Sequence, residues 1–128
     1  MSLMMKLISM NIREIGEIKK KYLEDLIKKE KADIVCLQET KCKELEKEKI
    51  FKMWGTNDVE WVERGAKNNA GGLLHCGGQA LSSWLMSTLE KIIVIEREWK
   101  MGEVSITIAN IYSFGTLREK SGIWEGVW

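Results

Sequence analysis

Proline is absent from the 128 residues, histidine occurs once, and no long apolar run is present. A membrane-crossing helix needs about 20 consecutive apolar residues, so the pattern excludes one. The opening MSLMMKLISM lacks the long apolar core and small-residue cleavage site of a secretory signal, and it reads as a leader running straight into a strand. No repeat, low-complexity tract or interdomain linker breaks the chain. Net charge is +1, so no global field advertises a polyanionic partner, although enzymes that cut nucleic acid often need only a local basic rim. The three cysteines, Cys36, Cys42 and Cys76, are an odd number without paired spacing, which reads as buried thiols in a reduced intracellular protein. With His75 they offer no C-x-x-C or H-x-x-x-H element for zinc.

What is present is the balance of a globular domain, 45% hydrophobic and 30% charged, in a chain long enough for one domain and too short for two ordinary ones. Six tryptophans (Trp54, Trp61, Trp84, Trp99, Trp124 and Trp128) are expected to pack rather than to stack on bases.

Periodicity predicts a strand over Met5–Asn11, with Leu7, Ser9 and Asn11 on one face, then a helix from Glu17 to Lys31. The helix stripe is Ile18, Tyr22, Leu23, Leu26 and Ile27, and the lysine clusters at 19–21 and 28–29 are its solvated face. The apolar run Ile34 to Leu37 is a buried strand ending in Gln38-Glu39-Thr40. Strand, helix and strand with this crossover form a βαβ unit, so the two strands should be parallel. A charged helix follows over Lys43–Trp54, a short strand over Val59–Glu63, and a polar turn over Arg64–Ala70. Gly71-Gly72 opens a strand over Leu73–Cys76, Leu81–Leu89 fits strand or short helix, and Ile92–Glu96 and Val104–Tyr112 are strands. A last helix is expected from Leu117 to Trp128, with Thr116 as cap and Glu119 three residues on. The fold class is therefore α/β.

Three of these strands run apolar and turn polar at their carboxyl ends: Leu7 through Ser9 to Asn11, Val35 and Leu37 to Glu39, and Val104, Ile106 and Ile108 to Asn110 and Tyr112. Ligands of open α/β sheets bind outside the carboxyl ends of parallel strands. Asn11 and Glu39 share such an end through the crossover, whereas the direction of the Tyr112 strand is left open. An amide, a carboxylate and a phenol around one crevice suit a phosphate ester held through Mg²⁺, which prefers oxygen ligands. Glu39 would ligate the ion, Asn11 would orient ligand or nucleophile, and Tyr112 would donate to phosphate. Solvated strand ends carry the same polarity without any such role.

The blocks MKLISMNIR (5–13), ADIVCLQETK (32–41), NNAGGLLHC (68–76) and ITIANIYS (106–113) resemble the endonuclease/exonuclease/phosphatase superfamily, with the greatest likeness to the apurinic-type endonuclease domain of plant LINE-type retrotransposons. The resemblance implies a sandwich of two sheets with helices outside, a four-layer fold of which residues 1–128 are roughly the first half, a single and C-terminally truncated domain. It also implies that Asn11 and Glu39 lie at a Mg²⁺ (or Mn²⁺) site and that Tyr112 contacts the scissile phosphate of DNA. It gives Arg13 no catalytic role, makes Gly71-Gly72 a structural turn, and would place the action in the nucleus. The chain departs from the pattern at Met10, where tryptophan is usual, at Glu14, where glycine is usual, and at Phe114, where proline is common. Gly77 and Gly78 also stand where a tryptophan and a polar residue are often found.

The later G-D-x-N and S-D-H blocks of the family, which supply the water-activating aspartate and the histidine, do not occur in the sequence. His75 stands at no matching position and reads as a core or rim histidine. The chain alone is thus expected to be inactive or nearly so, with an uncovered apolar sheet face that promotes self-association. Two other readings stand beside this one. The first is a non-catalytic binding or assembly remnant, and the second is another phosphatase or phosphodiesterase of the same superfamily.

Overall fold

The computed structural model describes residues 5–68, 70–78, 82–89, 92–99 and 104–111, with backbone alone for 82–89, 97–99 and 104–105. The elements are β1 (Leu7–Asn11), α1 (Glu17–Glu30), β2 (Ile34–Gln38), α2 (Lys47–Trp54), β3 (Val59–Arg64), β4 (Leu73–Gly78), β5 (Ser82–Leu89), β6 (Ile92–Trp99) and β7 (Val104–Ile111). The ambiguous segment before Leu89 is thus a strand. The second helix starts at Lys47 rather than Lys43, because Glu46 before it is extended at φ −66°, ψ 142°. The expected helix from Leu117 to Trp128 lies outside the described residues.

The βαβ expectation holds. β1 and β2 pair in parallel, with Leu7 opposite Ile34 and Asn11 opposite Gln38. β4 pairs antiparallel with β2, and β3 antiparallel with β4, giving a sheet in the order β1-β2-β4-β3. A second, antiparallel sheet has the order β5-β6-β7.

β2 is buried on both faces, and its two sets of side chains separate the core into layers. Val35 and Leu37 join Leu23 and Ile27 of α1 and Ile50 and Met53 of α2 on the helical side. Ile34 and Cys36 face the second sheet, where Ile108 and Met5 pack against them, and Leu73 meets Ile93 and Ile95 nearby. The described residues therefore form helices, sheet and sheet, three of the four layers that the resemblance implies. This arrangement also revises the expected uncovered face. β6 and β7 of the same chain lie against β2, β3 and β4. The part left open is β1, where Leu7 is 45% exposed and Ser9 and Asn11 are exposed.

The α1 stripe is narrower than its periodicity suggests. Leu23 and Ile27 are buried, but Ile18 is 87% and Tyr22 is 56% exposed. Nor are the lysines all solvated: the Lys20 side chain is only 14% exposed, and the Lys19 ammonium donates to the carbonyls of Ile12 (2.6 Å) and Arg13 (3.4 Å), clamping the loop after β1. Glu17 in the first turn and Lys28 and Lys29 in the last complement the helix dipole. Trp54 and Trp61 pack against the helical-side core as expected, Trp61 meeting Phe51 edge to face at 5.8 Å. Among the described residues no helix is long and apolar enough to cross a membrane.

Glu63 on β3 carries a pH dependence. Both its carboxylate oxygens accept the Leu45 N–H at 3.1 Å. Burial raises its pKa above the usual 4.5, opposed by that hydrogen bond and assisted by the charge of Glu44. The folded state therefore keeps a proton to higher pH than the unfolded state does. The stability this confers is present at low pH and is lost as pH rises from 4.5 through the raised value. Glu63→Gln keeps an acceptor for Leu45 and removes the titration. In urea unfolding the variant should gain on the parent between about pH 4 and about pH 7, and a constant gap would contradict this account.

Candidate active site

The carboxyl ends of β1 and β2 are stapled together by backbone hydrogen bonds that continue past the strands. Ile12 N–H donates to Gln38 O at 2.9 Å, Glu14 N–H to Glu39 O at 2.7 Å, and Ile15 N–H to Thr40 O at 3.0 Å. The second loop is tied in turn to the start of β4, through Thr40 N–H to Gly72 O at 3.2 Å and Lys41 N–H to Gly71 O at 2.8 Å. Three loops thus form one rim, with Asn11 at the end of β1 and Glu39 one residue past β2. The Asn11 Oδ1 accepts the Arg13 N–H at 3.2 Å, which turns the chain sharply away from β1.

Side-chain alternation does not bring Glu39 here, contrary to the sequence reading. Val35 and Leu37 face the helices, and Gln38 shares the Asn11 face by register. Glu39 lies one residue past β2 at φ +55°, so the strand alternation ends before it. Other left-handed residues crowd the same rim: Arg13 (φ 52°), Glu14 (98°) and Lys41 (52°). Strained backbone of this kind concentrates where a structure holds functional groups in place. Gly71 and Gly72 also have positive φ, and a Cβ on Gly72 would run into the Thr40 Oγ1 and lie 3.2 Å from Lys41 N. The Gly-Gly turn is therefore required, as expected, by close approach as well as by dihedral.

Tyr112 lies outside the described residues. The strand before it settles the direction that the sequence left open. Asn110, near the end of β7, donates through Nδ2 to the carbonyls of Leu74 (3.0 Å) and Leu37 (3.3 Å). β7 therefore finishes at the same edge as β1 and β2. His75 is 2% exposed with Nδ1 3.5 Å from Cys36 Sγ, between the sheets, which agrees with its reading as a core histidine.

Gln38 and Asn110, read from the sequence only as polar strand ends, join each other at the rim. The Gln38 Nε2 donates to Asn110 Oδ1 at 2.7 Å. The signal was available in the amide that closes the Ile106–Ile108 face, since a buried amide must find partners.

The two expected site residues carry hard oxygen donors, the Glu39 carboxylate and the Asn11 amide oxygen that accepts from Arg13 N–H. Among the described residues no three of His, Cys, Asp and Glu gather into a ligand group. That donor set fits Mg²⁺ or Mn²⁺ retaining most of its water, and does not fit a closed cage.

Glu14 explains one of the sequence departures. It occupies φ +98°, where the family pattern usually has glycine. A side chain in left-handed backbone costs about 1–2 kcal/mol, and glycine loses part of that gain to its unfolded-state entropy. Glu14→Gly should raise stability by about 1 kcal/mol in urea unfolding, and a loss of that size would refute the strain assignment.

A family model described as Endonuclease/Exonuclease/phosphatase family matches residues 8–117. No curated protein matches. Among solved structures, the chain resembles the AP endonuclease LMAP from Leishmania major at TM-score 0.66 and 19% identity, over 88% of this chain and 41% of that one. It also resembles the APE2 catalytic domain of Xenopus laevis at TM-score 0.56 and 16% identity, over 91% of this chain and 47% of that one. The chain thus spans less than half the length of either structure, and the likeness concerns the fold. With residues 8–117 of its 128 matched by the family model, the chain belongs to the endonuclease/exonuclease/phosphatase family.

Proposed function

We propose that this chain is the first half of a Mg²⁺-dependent phosphodiester hydrolase domain that nicks DNA, of the LINE-type retrotransposon class. The observation that supports the reading is the stapled rim, in which the segment after Asn11 is hydrogen-bonded to the segment that holds Glu39 at the end of two parallel strands. The LINE-type assignment rests on the four sequence blocks, and the DNA substrate on the family and on the AP endonucleases that the chain resembles in fold. In this reading Glu39 holds the cation through its carboxylate, and Asn11, already oriented by the Arg13 N–H, directs an amide to the ligand or nucleophile. Tyr112 donates to a phosphate oxygen. A bound Mg²⁺ (or Mn²⁺) would neutralise charge developing on the phosphate.

In-line displacement also needs a group to take the proton of the attacking water. His75 is closed off between the sheets, and the sequence contains neither G-D-x-N nor S-D-H. The chain alone is therefore expected to leave supercoiled plasmid intact. A form extended in frame through those two blocks should nick it, and Glu39→Ala should lower that nicking by about 10³-fold or more. An extended form indifferent to Glu39→Ala would sink the site assignment.

A second reading, assembly through the sheet, is favoured by one observation: Leu7 is half exposed on β1, an outer strand of its sheet among the described residues. Outer strands pair readily with other chains. Sedimentation should show self-association that Leu7→Lys weakens and Glu39→Ala does not. A parent chain that is monomeric at all concentrations excludes it.

A further inference from the structure

A primary amide has two donor hydrogens and one acceptor oxygen, so a network of amides is oriented by its fixed partners. Asn110 is 2% exposed and lies between the sheets. Two backbone carbonyls, of Leu37 and Leu74, must be met by its Nδ2, at 3.3 and 3.0 Å. Its Oδ1 consequently faces Gln38, which must present Nε2, and the 2.7 Å bond between them is the shortest in the cluster. The same Nε2 lies 3.3 Å from Ser9 Oγ and 3.4 Å from the Cys36 carbonyl. The orientation of both amides thus follows from two main-chain oxygens that cannot flip. Among the described residues no donor reaches the Gln38 Oε1.

The cluster also lies where the rim is anchored. Leu37 and Gln38 are the last two residues of β2, immediately before Glu39, and Gln38 is opposite Asn11. Leu74 follows the Gly71-Gly72 turn that carries the Thr40 staple. Asn110 is therefore one side chain, from the second sheet, that holds both β2 and β4 at the edge of the candidate site.

We propose that Asn110 is a positioning residue for the cation-binding edge, acting through Gln38 and the Leu37 carbonyl to fix the segment from which Glu39 projects. This rests on the reading of Glu39 as the cation's ligand. Groups that hold a ligand in place typically alter metal affinity by about 10- to 100-fold when removed. Residues that act through one another do so non-additively.

The test measures Mn²⁺ affinity of the full chain from the free-ion electron paramagnetic resonance signal, with near-ultraviolet circular dichroism to confirm the fold. Gln38→Met and Asn110→Ser should each weaken Mn²⁺ about tenfold, and the double variant should also weaken it about tenfold rather than about a hundredfold. Ile27→Val, which loosens the buried core at the last turn of α1, beside the start of β2 and away from the rim, should leave affinity within about twofold of the parent. Single variants that bind within about twofold of the parent, while Glu39→Gln abolishes binding, would overturn the positioning role and keep the site. Equal weakening by Ile27→Val would overturn it as well. If Asn110→Ser does not fold, Gln38→Met, half-buried at the rim, decides by itself. A parent chain that binds no Mn²⁺, or binds it equally after Glu39→Gln, removes the site reading and the inference together.

Discussion

The donation from Ile12 N–H to Gln38 O is the interaction on which the rest of the rim depends. It extends the parallel β1–β2 ladder one step past the strands and makes the two exit loops a single unit. Glu14 and Ile15 then find the carbonyls of Glu39 and Thr40, and the Thr40 and Lys41 amides find the Gly-Gly turn. Leaving such a buried amide unpaired would cost about 1–3 kcal/mol, as much as the strain of a left-handed residue. That comparison explains how Arg13, Glu14, Glu39 and Lys41 are all held at positive φ around one edge. The Lys19 ammonium reinforces the arrangement from below, on the carbonyls of Ile12 and Arg13.

The layers serve this edge. α1 and α2 bury Val35 and Leu37 on one side of β2, and the second sheet buries Ile34 and Cys36 on the other. A strand fixed on both faces has little freedom to move its carboxyl end, so the residue after it is carried in a definite place. Asn110 adds the polar tie between the sheets at that end. β1 is held differently, through β2 on one side, with its Leu7-Ser9-Asn11 face open. The buried strand thus leads into Glu39, and the open strand ends in Asn11.

Much of this was legible in the residues. The 3.6-residue stripe located α1, the apolar run ending in Gln38-Glu39-Thr40 located β2, and the crossover between them dictated the parallel pairing that the structure contains. Gly71-Gly72 was readable as a turn, and His75 as a core residue. Other features escaped because they depend on partners distant in sequence. Ile18 and Tyr22 fit the helical stripe yet are exposed, since the sheet below α1 reaches only Leu23 and Ile27. The inner face read as uncovered is met by β6 and β7, whose packing side no local pattern specifies.

The sequence by itself determined most of the strands and helices among the described residues, leaving Leu81–Leu89 open between the two, and determined that β1 and β2 are parallel and that polar residues close their carboxyl ends. These follow from side-chain periodicity and chain connectivity, which act over a few residues or one crossover. Only the tertiary structure decided that Gln38, not Glu39, shares the Asn11 face. It alone decided that Glu39 lies past the end of β2 in left-handed backbone, and that Asn110 ties the edge together from another sheet. Alternation stops where a strand stops. Beyond that point, a side chain's place is set by the backbone hydrogen bonds its loop can make with other loops.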